Sequence, residues 1–126
     1  MKQPRLDELF RAVSDPTRLR LLNILRLGSI CVCELHAVLQ IPQPTASRHL
    51  AALRHAELVQ DCRIGNRIMY SLAPPGTAQI EALYQLLDKF CPCEELMSAD
   101  LARLREAVKK GSCRLDPYPH GQEFRA

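Results

Sequence analysis

Two cysteines in the stretch SICVCELH, residues 29–36, are the side chains of this chain best suited to chemistry. Cys31 and Cys33 are separated by one residue, in what the pattern predicts is the first turn of a short helix. Side chains at positions i and i+2 of a helix lie about 200° apart. We therefore expect both sulfurs to reach one ion only if the start of this helix unwinds, and such unwinding would act as a switch.

Thiolates select the kind of ion that such a pair would bind. Sulfur ligands favour soft ions over magnesium or calcium, so the candidates are As(III), Sb(III), Cd(II) and Pb(II). A helix N-terminus also favours the thiolate, which is the ligating form of cysteine. The alternative interpretation is that the pair packs in the core as two small apolar residues.

A trivalent arsenic site takes three sulfur ligands, and the chain has six cysteines. Cys113, Cys91 and Cys93 are the candidates for the third ligand, whereas Cys62 lies in a predicted strand and is interpreted as packing. The stretch FCPCEEL repeats the C-x-C spacing at the end of a long helix. Cys91, Cys93 and Cys113 are therefore also a candidate second site, and the choice between one site and two stays open.

The elements that position the first pair form a helix-turn-helix. Pro42 and Pro44 forbid a continuous helix, so a tight turn separates the short third helix from a fourth. Ala46, Leu50 and Leu53 give the fourth helix an apolar inner stripe, and its start is polar. The N-terminal residues of such a helix read base edges in the major groove. The candidate DNA contacts are Gln43, Thr45, Ser47, Arg48 and His49.

A β-hairpin follows the fourth helix directly. The pattern changes from helical to alternating, which predicts two strands, at about 59–63 and 67–72, that flank a turn at Gly65-Asn66. A hairpin in this place is a wing, and its basic side chains would lie beside the DNA backbone or minor groove. The candidate contacts of the wing are Arg63, Asn66 and Arg67.

The whole chain predicts one mainly helical domain with a small β-hairpin, a winged helix-turn-helix of about six helices. Its 126 residues allow a single domain with a real core. After the wing we expect a long fifth helix with the stripe Ile80, Leu83, Leu87 and Phe90, and a last helix over residues 98–109. Residues 1–112 form the domain, and residues 113–126 form a flexible tail.

Charge and hydropathy narrow the partners. The net charge is +3, and residues 1–75 carry ten Lys and Arg against six Asp and Glu, which suits a polyanion such as DNA. No apolar run approaches the roughly 20 residues of a membrane span, so no membrane partner is expected. The N-terminus lacks a hydrophobic signal core. We therefore expect a cytoplasmic protein, whose cysteines are metal ligands or redox sensors rather than disulfides.

The motifs resemble the ArsR/SmtB family of small metal-sensing repressors. SDPTRLRLLNIL, CVCEL, QPTASRHLAALRHAELV and GNRIMYSL occur in the family's order and spacing, within about residues 6–110. The CVC motif resembles the arsenic/antimony-responsive and the cadmium/lead-responsive members. The resemblance implies a homodimer that binds double-stranded operator DNA when metal-free and releases it when loaded. We expect the first and fifth helices to pair the subunits, with Leu83, Leu86, Leu87 and Phe90 at the interface.

One position departs from the arsenic-type pattern. In those members a third cysteine can follow three positions after the second, and here that position is His36. Histidine is a poor ligand for arsenic and a good one for zinc or cadmium. We interpret His36 as a surface residue of the helix, which leaves the third ligand to another cysteine.

Two other functions compete with ion-responsive repression. A thiol redox or persulfide sensor on the same fold is the nearer one, although adjacent C-x-C thiols are strained as an intrahelical disulfide. A small dithiol enzyme would need a nucleophilic cysteine in a phosphate-cradling loop, or a CxxC motif in a βαβ unit. The sequence contains neither, so no catalysis and no small organic substrate are expected.

Overall fold

The computed structural model describes residues 5–116 as six α-helices and three short strands. None of these helices is long and apolar enough to cross a lipid bilayer. A 3₁₀ turn, Cys91–Cys93, joins the last two helices. The helices are α1 (Leu6–Val13), α2 (Pro16–Leu25), α3 (Val32–Leu39), α4 (Gln43–His55), α5 (Ala78–Phe90) and α6 (Glu95–Lys110), and the strands are β1 (Ile30–Cys31), β2 (Val59–Ile64) and β3 (Arg67–Leu72).

Helix α2 is the centre of the core. Its N-cap is Asp15, whose side chain accepts a hydrogen bond from the backbone N–H of Arg18 at 3.0 Å, and Pro16 fills the first helical position. Leu21, Leu22, Ile24 and Leu25 are all fully buried. Because these side chains cover more than one face of the helix, α1, α3, α4, α5 and α6 all find an apolar surface on α2.

The wing forms as predicted and gains a third strand. Strands β2 and β3 pair antiparallel around Gly65, whose φ of 63° suits the turn. Strand β1 pairs with the other edge of β3, in the register Cys31↔Met69, and the sheet order is β1-β3-β2. The cysteine stretch is therefore hydrogen-bonded to the wing, a connection that the local sequence pattern did not predict.

A buried ion pair holds the end of α3. The carbonyls of Val38 and Leu39 accept hydrogen bonds from Arg103 (2.8 Å) and Arg20 (2.7 Å). Both guanidinium groups are also bound to Asp100, which is fully buried, and the Arg20 Nε–Asp100 Oδ2 distance is 2.8 Å. The last carbonyls of a helix have no partners within it, so these two arginines satisfy them. Helix α6 thereby fixes α3 immediately before the turn to α4.

The buried stripe of α5 differs from the predicted one. Ile80 and Leu87 are buried as expected, but Tyr84 is the third core residue. The Tyr84 hydroxyl lies 2.9 Å and 2.8 Å from the carbonyls of Leu58 and Ala73, so it can enter the core without losing its hydrogen bond. Leu83 is half-buried, and Leu86 and Phe90 are exposed. Helix α6 begins at Glu95, three residues before the predicted start.

Residues 113–116 pack against the domain, although the sequence analysis assigned them to the tail. The backbone N–H and carbonyl of Ser29 pair with those of Asp116 at 2.7 Å and 2.8 Å. A Cβ atom on Gly28 would lie 2.5 Å from the Asp116 carbonyl oxygen, so this approach requires glycine. The predicted boundary at residue 112 leaves out these four residues. The remainder of the predicted tail, residues 117–126, lies outside the described residues.

Candidate metal centre and nucleic-acid interface

Cys31 and Cys33 lie on either side of the start of α3. Cys31 ends strand β1 and is the N-cap residue of α3, with extended backbone angles (φ −71°, ψ 141°). The helical rotation therefore does not separate the two side chains, and their sulfur atoms lie 2.6 Å apart. Cys31 is buried and Cys33 is exposed. The expectation that the helix start must unwind before both sulfurs can reach one ion is wrong, because the helix begins after Cys31.

The two thiols ionise differently. Burial opposes ionisation of Cys31, but the thiol and backbone amide of Cys33 and the Arg67 guanidinium together lower the pKa of Cys31 below its usual value. The same contact with Cys31, with burial and the negative charge of Glu34, raises the pKa of Cys33. The pair therefore loses its first proton readily and its second reluctantly, so the first thiolate forms at Cys31.

Glu34 joins the cysteine stretch to two other parts of the chain. Its carboxylate, in the first turn of α3, accepts a hydrogen bond from the Arg67 guanidinium of β3. It also accepts one from the backbone N–H of Arg114 at 2.6 Å, and one from the thiol of Cys113. Cys31, Cys33, Glu34, Arg67 and Cys113 are called the thiol cluster below.

Among the candidates for a third ligand, Cys113 is the one that belongs to the thiol cluster. Cys113 and Cys33 line the same cleft of about 350 Å³, between α3 and α6. Burial and the bond to Glu34 raise the pKa of Cys113 to about 12. Within residues 5–116 no three ligating side chains are already arranged around one point. A three-sulfur site at the cluster therefore requires Cys113 to leave Glu34.

Cys91 and Cys93 have other surroundings. Cys91 is buried beside Arg26, Asp88 and Glu94, and burial raises its pKa. Cys93 is exposed, with its sulfur 3.8 Å from the carbonyl oxygen of Lys89. Cys113 instead contacts Glu34 at the start of α3, so the described residues do not bring the predicted second site together.

The rings of His36 and His49 both make contacts within the protein that involve the helix-turn-helix. The ring Nδ1 of His36 lies 3.1 Å from the carbonyl oxygen of Ile41, across the turn between α3 and α4. The ring Nδ1 of His49 accepts a hydrogen bond from Arg18 Nε at 3.1 Å, which ties α4 to α2. His49 was predicted to face DNA, and the structure gives it this contact within the protein.

The other predicted DNA contacts divide into exposed and engaged side chains. On α4, Gln43 and Arg48 are exposed, and Thr45 and Ser47 are half-buried. On the wing, Asn66 and Arg63 are exposed, and Arg63 Nε donates to the Gly65 carbonyl at 3.3 Å. Arg67 instead turns towards the thiol cluster. Sequence reasoning missed Glu34, although it directly follows the CVC motif and its charge is a signal for an arginine partner.

Comparison with known proteins decides the family. Residues 15–61 match the model of the bacterial regulatory proteins of the arsR family. The arsenic resistance transcriptional regulator ArsR1 of Pseudomonas putida is 39% identical over 100 residues, which cover 78% of this chain and 76% of that protein. The chain belongs to the arsR family. It is a DNA-binding transcriptional regulator.

Two further relatives of this arsR-family protein extend the comparison. The arsenical resistance operon repressor of Staphylococcus xylosus is 32% identical over 103 residues, 79% of this chain and 99% of that one. A homodimeric winged helix-turn-helix domain of Mycobacterium bovis, a possible ArsR-family regulator, has a TM-score of 0.56 at 27% identity. It covers 71% of this chain and 92% of that domain. The predicted fold class is confirmed.

The Arg67→Ala variant tests the electrostatics of the thiol cluster in this arsR-family protein. Because Arg67 lowers the pKa of Cys31, its removal raises that pKa, and the thiolate of Cys31 forms only at higher pH. The measurement is the pH dependence of the Cys31 Cβ shift in protein labelled with carbon-13 at cysteine, assigned with Cys31→Ser.

The matched control is Arg63→Ala, which removes an exposed arginine from the same hairpin. We expect the Cys31 titration of this variant to follow that of the wild type. A Cys31 pKa that stays in place, or falls, in Arg67→Ala contradicts the assignment.

Proposed function

We propose that this protein is a repressor that holds operator DNA as a dimer and leaves it when trivalent arsenic or antimony binds Cys31 and Cys33. The observation that carries the proposal is the pair of sulfurs 2.6 Å apart at the start of α3, the helix that precedes the recognition helix. The ion supplies bonds to thiolate sulfur and thereby joins the two side chains. A reducing cytoplasm keeps both thiols available for it.

Helix α4 reads the operator in this proposal. Gln43 and Arg48 present an amide and a guanidinium that can each bond a base edge bidentately. Thr45 and Ser47 can donate hydroxyl hydrogen bonds to phosphates, and on the wing Arg63 and Asn66 can donate N–H groups from a guanidinium and an amide. His49 and Arg67 act indirectly, since His49 holds α4 against α2 and Arg67 holds the wing against α3.

The Arg48→Ala variant tests this reading. A bidentate contact to a base contributes about 1–3 kcal/mol of discrimination, so the variant binds more weakly and tolerates changes at one base pair. Binding is measured by fluorescence anisotropy with duplexes that the wild-type protein selects from a random library.

Arg54→Ala is the control, because Arg54 lies near the end of α4 and pairs with Asp61 at 2.9 Å. We expect its affinity and sequence preference to match the wild type. Equal behaviour of both arginine variants would place the recognition surface elsewhere.

Dimerisation uses the apolar side chains that α1 and α5 leave exposed. Leu6, Phe10, Leu86 and Phe90 are between 52% and 59% exposed, and both helices pack on α2. Four of the eight large apolar side chains that are exposed among the described residues lie on these two helices, and exposed apolar surface is typical of an interface between subunits. The M. bovis domain with the same fold is described as homodimeric. Leu87, predicted at the interface, is buried in its own core.

Leu86→Glu is expected to be monomeric at micromolar concentration, because a buried unpaired carboxylate opposes association. It also loses duplex affinity, since a dimer reads two half-sites about 34–36 Å apart. Sedimentation velocity measures the first effect, with Ile64→Glu, a change at an exposed apolar wing residue, as the control. A Leu86→Glu dimer rules out this interface.

Release requires the ion to bind the thiol cluster with a different affinity in the DNA-bound protein than in the free protein. An effector shifts an equilibrium only by its different affinity for the two states. Cys31 connects through Arg67 to the wing, and Glu34 stands in the helix that packs against α4. A change at the sulfurs therefore reaches both DNA-contacting elements. Unwinding of α3 is not needed for this connection.

Cys31→Ser and Cys33→Ser are each expected to fold and to bind the selected duplex, but to stay bound when arsenite is added. Coupling between two sites is typically about 1–3 kcal/mol, and the loss of one soft ligand removes it. Cys93→Ser, a change at an exposed cysteine outside the cluster, should be released like the wild type. If both cluster variants are released at wild-type arsenite concentrations, the sensor is elsewhere.

Two alternative functions would use the same sulfur atoms, those of Cys31 and Cys33. Cd(II) or Pb(II) would also accept thiolates, and parallel titrations with these ions separate them from arsenite. A redox or persulfide sensor is favoured by the 2.6 Å approach of the two sulfurs. For that sensor, polysulfide would release the duplex and arsenite would not, and mass spectrometry would find a modified Cys31–Cys33 pair.

A further inference from the structure

The C-terminal segment, residues 113–116, returns to the start of α3. Ser29 pairs with Asp116 through two backbone hydrogen bonds, and Gly28 leaves room for the Asp116 carbonyl. The backbone N–H of Arg114 donates to Glu34 at 2.6 Å. The residues that make these contacts come just before and just after the cysteine pair in the sequence. They hold the segment at the thiol cluster.

Cys113 is the most buried residue of this segment. It is 6% exposed, although Ser112 and Arg114 on either side are exposed. Its thiol bonds the carboxylate of Glu34, and it lines the same cleft as Cys33. The backbone contacts of the segment thus hold the Cys113 sulfur beside the cysteine pair, although Cys33 lies 80 residues earlier in the chain.

We propose that Cys113 is the third sulfur ligand of the arsenic site, so that the C-terminal segment completes a site begun by Cys31 and Cys33. This inference rests on the proposed function. It assigns the ligand that the family pattern would place at residue 36, where this chain has a histidine bonded across the α3–α4 turn.

The chemistry balances whether a cysteine meets the ion as the thiol or as the thiolate. Arsenous acid carries one hydroxyl for each bond that it makes to sulfur. When an As–S bond forms, an As–O bond breaks, and the hydroxide leaves as water with the proton of the thiol, or with a proton from the solvent where the cysteine is already a thiolate. Three cysteines therefore release three waters, and neither arsenic nor sulfur changes oxidation state. Cys113 must give up its bond to Glu34, which loosens the contact between the segment and α3.

X-ray absorption at the arsenic edge counts the sulfur ligands of the arsenite-loaded protein. We expect three sulfurs in the wild type, and two sulfurs with one oxygen in Cys113→Ser. Cys91→Ser, a matched change at another buried cysteine, should keep three. Circular dichroism and duplex binding without arsenite check that each variant is folded.

A complementary variant leaves Cys113 in place. Combined replacement of Cys62, Cys91 and Cys93 by serine retains only the cysteines of the thiol cluster, and we expect it still to bind arsenic through three sulfurs. Two sulfurs in this variant or in the wild type, or three in Cys113→Ser, overturns the inference.

The outcomes separate this inference from the proposed function. If arsenic has two sulfur ligands and release still requires Cys31 and Cys33, the inference fails and the proposed function stands. If the wild type binds no arsenic through sulfur, both fail.

Discussion

The carboxylate of Glu34 makes the contacts on which the arrangement of the thiol cluster depends. It bonds the wing through Arg67, and the C-terminal segment through the amide of Arg114 and the thiol of Cys113. Hydrogen bonds that involve charged groups are stronger than neutral ones. Without this acceptor, three parts of the chain that are distant in sequence would lose their common partner. The contact with Cys31 raises the pKa of Cys33 and burial raises the pKa of Cys113, and the negative charge of Glu34 adds to both.

A second ion pair holds the opposite end of the same helix. Asp100 orients Arg20 and Arg103 towards the last carbonyls of α3, while Glu34 and Arg67 hold its first turn. Helix α3 has eight residues, too few to be stable by itself, so its position is set by these contacts at both ends and by its packing. Buried ion pairs add little net stability and can instead specify one arrangement. The helix held in this way is joined to α4 by a short turn, residues 40–42.

Local signals in the sequence were sufficient for most of the fold. Asp15 before Pro16, and the turn at Gly65, depend on contacts within a few residues, and the structure has both as expected. The prediction that both cysteines lie in the first turn of a helix was wrong, because β1 forms only by pairing with β3. The paired residues are 38 positions apart, in the register Cys31↔Met69. The position of Cys113 could not be predicted from the sequence either, because only the folded chain brings residue 113 to Glu34. Spacing along the chain identified the right residue types but not which of them meet.

The wing arginines illustrate what that difference means for function. By sequence, Arg63 and Arg67 are equivalent phosphate contacts on one hairpin. In the structure Arg63 is exposed, whereas Arg67 is shared between the Glu34 carboxylate and the Cys31 sulfur. An arginine that faces two anionic groups is held most strongly when both are charged. In the proposed mechanism, binding of arsenic to the Cys31 sulfur weakens the hold on Arg67, and with it the position of β3. The proposed mechanism therefore couples the thiol to the wing through one side chain, which requires no distortion of α3.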